Sequence, residues 1–283
     1  MLKVLNSLSE YEKIYNDFVV NKRIRGVTNF FINKRCFPKY INEGKVRYEV
    51  IDNTLFILVD QGEYYRLYYF GMTSDVQDLP ATDKDVCCDI YEQQKNDAHT
   101  AFLHKILVNN NYICKQEYEQ VRLFYGFLHN LSSKYLEKYK KVLLKLNLTM
   151  RSVSIDDKAY VENLILNNMS KYDCLSIEDN DWEEQVNNDN VVGLYNDNKI
   201  IALYYFSTKA GRIIVDKEYR GKNLSVLLRM YFASQKRWEN STNNQYGWAE
   251  ANNIPSKKTF EKLFAIYTGK VKYRYVFMHT NEI

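Results

Sequence analysis

The sequence predicts an α/β fold of the mixed α+β kind, with helices packed on a mixed sheet. The prediction rests on a pattern that is written twice. Leu55–Val59, the turn Asp60-Gln61-Gly62-Glu63 and Leu67-Tyr68-Tyr69-Phe70 form an apolar run, a polar turn and a second apolar run. Val191–Tyr195, Asn196-Asp197-Asn198-Lys199 and Leu203-Tyr204-Tyr205-Phe206 repeat it at the same internal distance. Each is a hairpin signal. Two of equal spacing point to duplication of a whole domain.

The elements after each hairpin run in parallel. The first is followed by a short buried strand at Val86–Tyr91, a helix near His99–Val108 and an extended stretch from Tyr112 to Phe124. The second is followed by a strand at Gly211–Val215 and a helix whose apolar face is Leu224, Leu227, Leu228, Tyr231 and Phe232. A strand at Gln245–Ala251, another helix and a last strand at Val271–Met278 complete that half. Between the halves, Tyr135, Leu136, Tyr139, Leu143 and Leu146 recur at helical spacing, with lysines on the opposite face. This segment, Leu131–Leu148, is expected to be a solvated helix leading between domains. A basic surface for a membrane or an acidic partner is its second reading. The expected domains are residues 1–147 and 148–283.

Composition bounds the function classes. A hydrophobic share of 46% and a charged share of 26% are those of a globular chain, and 283 residues leave room for two domains. The opening segment MLKVLNSLSEYEK lacks the apolar core of a signal peptide. No stretch approaches the ~18 apolar residues of a membrane span, so a cytoplasmic protein without a membrane partner is expected. The net charge of +4 suits an anionic ligand and is too small to argue for nucleic acid. Cys36, Cys87, Cys88, Cys114 and Cys174 make no CxxC pair, and His99, His104, His129 and His279 show no zinc spacing. Reduced thiols and no metal site are the expectation.

The chemistry concentrates in Ile213-Ile214-Val215-Asp216-Lys217-Glu218-Tyr219-Arg220-Gly221-Lys222-Asn223-Leu224-Ser225. A β-branched strand ends in a charged turn and a helix begins at once. Such a turn leaves several backbone N–H groups without intrahelical partners, backed by the helix dipole, and so suits a pyrophosphate. Arg220 and Lys222 add positive charge at its mouth. Downstream, Asn253-Ile254-Pro255-Ser256 reads as an N-cap with proline in the first turn of a helix that continues through Phe260.

These two segments, in this order, resemble those of the Gcn5-related N-acetyltransferases (GNAT superfamily). The family's pyrophosphate loop is R/Q-x-x-G-x-G/A after a strand, and here it stands as Arg220-x-x-Asn223-x-Ser225. Both loop glycines are replaced, by an Asn that tolerates left-handed backbone and by a small Ser. The second segment is similar to the family's N-x-x-S/A-x-x-x-Y-x-x-L, with Asn253 and Ser256 matching and Phe260 in place of the Tyr. The resemblance covers roughly residues 150–280. It implies tandem GNAT-like domains with one CoA site, in the C-terminal half. The pantetheine would pair with Ile213, Ile214 and Val215. The phosphates would meet Arg220, Gly221, Lys222, Asn223, Leu224 and Ser225, and Asn253, Ser256 and Phe260 would line the arm.

In the first half, Glu92–Thr100 offers no small-residue phosphate turn, so that copy is expected to lack a CoA site. The activity implied is acyl-CoA-dependent N-acyl transfer, acetyl-CoA being the co-substrate and an amine of a small molecule or peptide the acceptor. Glu250 is the candidate general base. Phe260 cannot protonate the leaving thiolate as the family's Tyr does, and Tyr267 or a Tyr of the first half would have to stand in. Two alternatives remain: a non-catalytic GNAT-like protein that binds CoA or a peptide, and an aminoacyl-tRNA-dependent aminoacyltransferase. The modest charge and the CoA-like loop argue against the second. A monomer or a homodimer is expected.

Overall fold

The computed structural model describes residues 1–20, 26–30, 37–173, 177–206, 211–235 and 244–279. Two compact units result: Met1–Gln120 with Glu250–Asn252 and Gly269–Ile283, and Val121–Ala249 with Asn253–Thr268. Contacts therefore divide the chain after Gln120 rather than near residue 147, and they count the end of the chain with the first unit. Cys36 and Cys174 lie outside the described residues, whereas Cys87, Cys88 and Cys114 are free thiols.

Both hairpins form. In unit 1, β1 (Lys3–Val4), α1 (Leu8–Tyr15), α2 (Phe37–Asn42) and β2 (Val46–Ile51) lead into β3 (Thr54–Asp60) and β4 (Tyr64–Phe70), and these last two pair antiparallel with Leu58 opposite Leu67. In unit 2, β7 (Leu148–Ser152) leads into β8 (Val191–Asn196) and β9 (Lys199–Tyr205), with Leu194 opposite Ala202. The second turn is tight because Asp197 takes a left-handed backbone, φ 53°. The flanking strands β2 and β7 are elements that the apolar pattern does not announce.

The halves diverge at the next strand. In unit 1, β5 (Asp85–Glu92) lies parallel to β4, with Tyr64 opposite Asp85. In unit 2, β10 (Arg212–Val215) lies antiparallel to β9, with Ile214 opposite Leu203. Chain length explains the difference: a parallel neighbour needs a long crossover, which residues 71–84 supply and residues 206–211 do not.

Unit 1 continues through α3 (Ala101–Asn109) and β6 (Ile113–Phe124), and takes in β12 (Ile266–Phe277) from Gly269 onward. Its strands run in the order β1-β2-β3-β4-β5-β12-β6. β12 pairs antiparallel with β5, and Arg274 stands opposite Asp89. Arg274 Nε and Nη2 donate to Asp89 Oδ1 and Oδ2 at 2.8 and 3.0 Å, and Arg66 Nη1 donates to Oδ2 at 3.0 Å. Asp89 and Arg274 are buried, and the Arg66 side chain is nearly so. Burial alone would raise the Asp89 pKa, but Lys272, Arg274 and Arg66 outweigh it and hold the carboxyl well below the usual carboxylate range.

The segment expected to be a solvated connector is α4 (Tyr125–Lys145), and it belongs to the core of unit 2. Tyr139 is buried, while Tyr135, Leu136, Leu143 and Leu146 pack against the cluster of Leu224, Leu227, Leu228 and Phe232 on α7 (Leu224–Gln235). The apolar positions that predict the helix form a seam wide enough to bury. Its chain then turns into β7 at Leu148, where the sequence pattern still reads helix. Unit 2 is completed by α5 (Lys158–Asn168), α6 (Asp179–Asn187), β11 (Asn244–Glu250) and α8 (Ile254–Lys262). No helix among the described residues is long and apolar enough to cross a membrane.

Replacing Asp89 with Ala strips two buried guanidiniums of their shared carboxylate. Chemical denaturation should register a loss of about 3–5 kcal/mol. Because the folded pKa is depressed, the Asp89 contribution is complete above the unfolded value of about 4 and disappears as pH falls through the lower folded value. The stability gap between wild type and D89A should therefore be constant at neutral pH and close in strong acid.

Candidate functional site

The site starts from an open strand edge. In unit 2, β10 ends the four-stranded sheet β10-β9-β8-β7, and β11 ends the sheet that contains β6, so β10 and β11 do not pair. The N–H of Asp216 donates to Ile201 O at 2.9 Å, which sets the phase of the ladder. Alternation then turns the backbone groups of Ile214 toward β9 and those of Ile213 and Val215 toward the open edge. In keeping with this, the carbonyl of Val215 accepts Arg220 Nε at 3.1 Å instead of pairing with β9. The side chains of Ile213 and Val215 rest on the core that holds Tyr204 and Phe260, and Ile214 is buried in the opposite cluster with Trp182 and Tyr205.

The turn after β10 is shaped by two left-handed residues, Gly221 at φ 80° and Asn223 at φ 59°. A Cβ at Gly221 would meet nothing within 4 Å, so its requirement is conformational rather than steric. Asn223 O receives the N–H groups of Val226 and Leu227, each at 3.1 Å. Those of Leu224 and Ser225 come before the first intrahelical acceptor and remain at the open start of α7. Asn223 thus does at the backbone what the sequence assigned to it. Its side chain is held by Lys262 Nζ from α8.

The loop's own cations brace it. Besides holding Val215 O, Arg220 donates from Nη2 to Asn168 Oδ1 at 3.1 Å. Lys222 Nζ donates to Glu218 O at 3.2 Å and lies 5.0 Å from the centre of the Tyr219 ring. Ser225 Oγ shares a hydrogen bond of 3.1 Å with Thr259 Oγ1, so α7 and α8 are tied beside the helix start. Lys262 and Thr259 escape sequence reasoning because each falls at an unspecified position of the motif that flags α8.

On α8, Asn253 caps the helix: its Oδ1 accepts the Ser256 N–H at 3.0 Å, and Pro255 occupies the first turn. Phe260 is 5% exposed, and its ring faces Arg229 of α7 at 5.1 Å and reaches toward Gly247 of β11. Unit 2 therefore brings together Ile213–Val215, Arg220–Ser225, Asn253, Ser256 and Phe260. Glu250, the last residue of β11, is half-buried and is counted with unit 1. Trp182 is a core residue that stacks on Tyr205 at 6.2 Å and donates from Nε1 to Ile155 O at 2.8 Å.

The corresponding turn of unit 1 is filled by its own chain. At the end of β5, Glu92 Oε1 accepts Thr100 Oγ1 at 2.7 Å and contacts His104 Nε2 at 2.9 Å, while Oε2 accepts the Asp97 N–H at 3.4 Å. The buried carboxylate sits at the start of α3, where the second half leaves donors open.

This fold, with β10, its turn and α7 in sequence, is similar to that of solved GNAT-family acetyltransferases. No family model matches the chain, and no curated protein does. An acetyltransferase of the GNAT family from Colwellia psychrerythraea aligns over 98% of this chain and 99% of its own, at TM-score 0.51 and 10% identity. A GCN5-related N-acetyltransferase from Kribbella flavida aligns over 84% of this chain and 91% of its own, at TM-score 0.51 and 10% identity. A Drosophila protein reaches TM-score 0.52 over 98% of both chains, at 12% identity.

The left-handed turn gives a direct check. Asn223→Gly should leave thermal stability within about 1 kcal/mol of wild type, whereas Asn223→Val should cost about 1–3 kcal/mol. Equal melting temperatures for the two variants would contradict the φ of 59°.

Proposed function

We propose that the protein is an acyl-CoA-dependent N-acyltransferase that moves an acetyl group from acetyl-CoA to an amine of a small molecule or peptide. The observation that supports this most is the path from the open edge of β10 to the free N–H groups at the start of α7. The fit to the donor follows from its chemistry. A pyrophosphate needs convergent N–H donors, which Leu224 and Ser225 supply under the helix dipole, and room, which Gly221 and Asn223 supply. A pantetheine arm carries amides, and Ile213 and the Val215 N–H offer them an unpaired strand edge. When bound, acetyl-CoA supplies the activated acyl group as a thioester. The chain aligns that group along β10 and keeps one side of it dry with Ile213, Val215 and the apolar core beneath.

The donor site is assigned to unit 2 alone, because in unit 1 Glu92 already occupies the donors of its turn and would repel a phosphate. A second reading, a GNAT-fold protein that holds CoA without turnover, has one specific observation in its favour. Phe260 is an apolar core residue and offers no proton to a leaving thiolate.

Thermal unfolding in the presence of CoA is the first test. Binding should raise the midpoint, by an amount equivalent to about 2.7 kcal/mol at a hundredfold excess over Kd. No shift would end both readings. Release of free thiol from acetyl-CoA with a panel of amines then separates them, since the binding module predicts a shift without release. Ser225→Glu should abolish the CoA shift by placing a carboxylate beside the pyrophosphate donors. An unchanged shift in that variant would mean that the phosphates bind elsewhere.

A further inference from the structure

Where β10 and β11 part, one buried cation lacks a counter-ion. Arg229 of α7 is 7% exposed. Its guanidinium lies 5.1 Å from the centre of the Tyr204 ring on β9 and 5.1 Å from that of Phe260, which packs against β11. It is thus held in the gap between the two sheets. The hydroxyl of Tyr125, at the start of α4, lies close enough to feel its charge, and the Arg229 Nε is buried with no hydrogen-bond partner. No carboxylate among the described residues pairs with it. Desolvating a guanidinium costs several kcal/mol, and faces of aromatic rings offset only part of that.

The groups around Arg229 are short of protons. The hydroxyls of Tyr125 and Tyr204 touch each other, and each also lies within hydrogen-bond distance of Gln245 Oε1 on β11, at 2.8 and 3.0 Å. Three oxygen contacts share two hydroxyl protons, so one contact is always unbridged. Burial pushes both phenols up in pKa, and they remain protonated at neutral pH. Arg229 is therefore the one cation in a cluster that has no anion to match it, one helical turn along α7 from Ser225. Leucine at this position would fill the space at no electrostatic cost. What an uncompensated guanidinium gains is the ability to accept a negative charge that arrives later.

We infer that Arg229, held between Tyr204 and Phe260 with its Nε unpartnered, receives the negative charge that develops on the departing sulfur of the donor. The inference rests on the acyl-CoA reading and adds to it a residue that compensates for Phe260. In the transfer, the amine nitrogen bonds to the thioester carbonyl carbon as the carbon–sulfur bond breaks, and the bonding pair leaves with sulfur. The surplus proton of the amine passes to water, and water later protonates the thiolate. Arg229 needs to give up no proton, because it stabilises the anion by charge and by its bare Nε–H. The absence of a hydroxyl at residue 260 then ceases to be a defect.

Binding of CoA and desulfo-CoA to the whole protein tests this without an acceptor. The two ligands differ only in the thiol, whose ordinary pKa is about 8.5. At pH 9 wild type should prefer CoA by roughly tenfold, as expected of a charge-assisted hydrogen bond, and at pH 6.5 the preference should shrink toward unity. Arg229→Met should remove the preference at pH 9 and leave desulfo-CoA affinity within a factor of about three. Arg229→Lys, which keeps the charge if Met does not fold, should retain most of it. Equal affinity of wild type for the two ligands at pH 9 overturns the inference while leaving the CoA site intact. A preference that survives in Arg229→Met also overturns it. Failure of both ligands to bind wild type overturns the acyl-CoA reading itself.

Discussion

A strand edge left unpaired inside a fold is a cost that some partner must offset, and unit 2 is organised around one. β10 has β9 on one side and, among the described residues, no strand on the other. Backbone donors and acceptors seek partners wherever water is excluded, so this edge either stays wet or takes a ligand that carries amides. The strand is only four residues long, which limits its hazard as an edge for association. One of its outward acceptors, Val215 O, is already held by Arg220. Arg220, which the resemblance assigns to the phosphates, also stiffens the turn after β10 through Val215 O and Asn168 Oδ1.

Helix α7 links every part of the site. Its first turn offers the donors of Leu224 and Ser225, and its next turn carries Arg229 into the gap between the sheets. Its other side is bound to α4 through Leu224, Leu227, Leu228 and Phe232. Although α4 carries no motif, that seam keeps α7 in place and sets Tyr125 near Arg229. Ser225–Thr259 and Lys262–Asn223 tie α8 to the same helix start. The loop has lost the usual glycines, yet the left-handed turn they would make survives in Gly221 and Asn223.

The two halves carry one repeated pattern and then diverge. Their hairpins agree in spacing, but the second pairs one residue out of step and shifts register after Leu194, and the strand that follows runs parallel in one and antiparallel in the other. An antiparallel β10 reaches its turn pointing into α7, with donors exposed. In unit 1 the turn after β5 instead closes on Glu92, whose carboxylate takes up Thr100 and Asp97 and meets His104. The carboxylate there is already bonded to the turn that leads into α3. Unit 1 is in turn completed by the end of the chain, since Asp89 holds Arg274 of β12 in a bidentate pair within the sheet.

The amino-acid sequence by itself determined the local chemistry. Both hairpins, the strand–turn–helix at Ile213–Ser225, the left-handed tolerance of Asn223 and the Asn253 cap were legible because each depends on neighbours within a few residues. Tertiary structure alone decided what depends on distant partners. The helix at Leu131–Leu148 read as a connector, because periodicity reveals an apolar face but not the α7 face that covers it. The last strand read as part of the second half, because nothing near Arg274 shows that its carboxylate lies at Asp89. The sequence pattern does not single out Arg229. Only packing revealed that it is buried between two rings with no anion beside it among the described residues, since burial and charge balance are properties of the folded core and not of any stretch of chain.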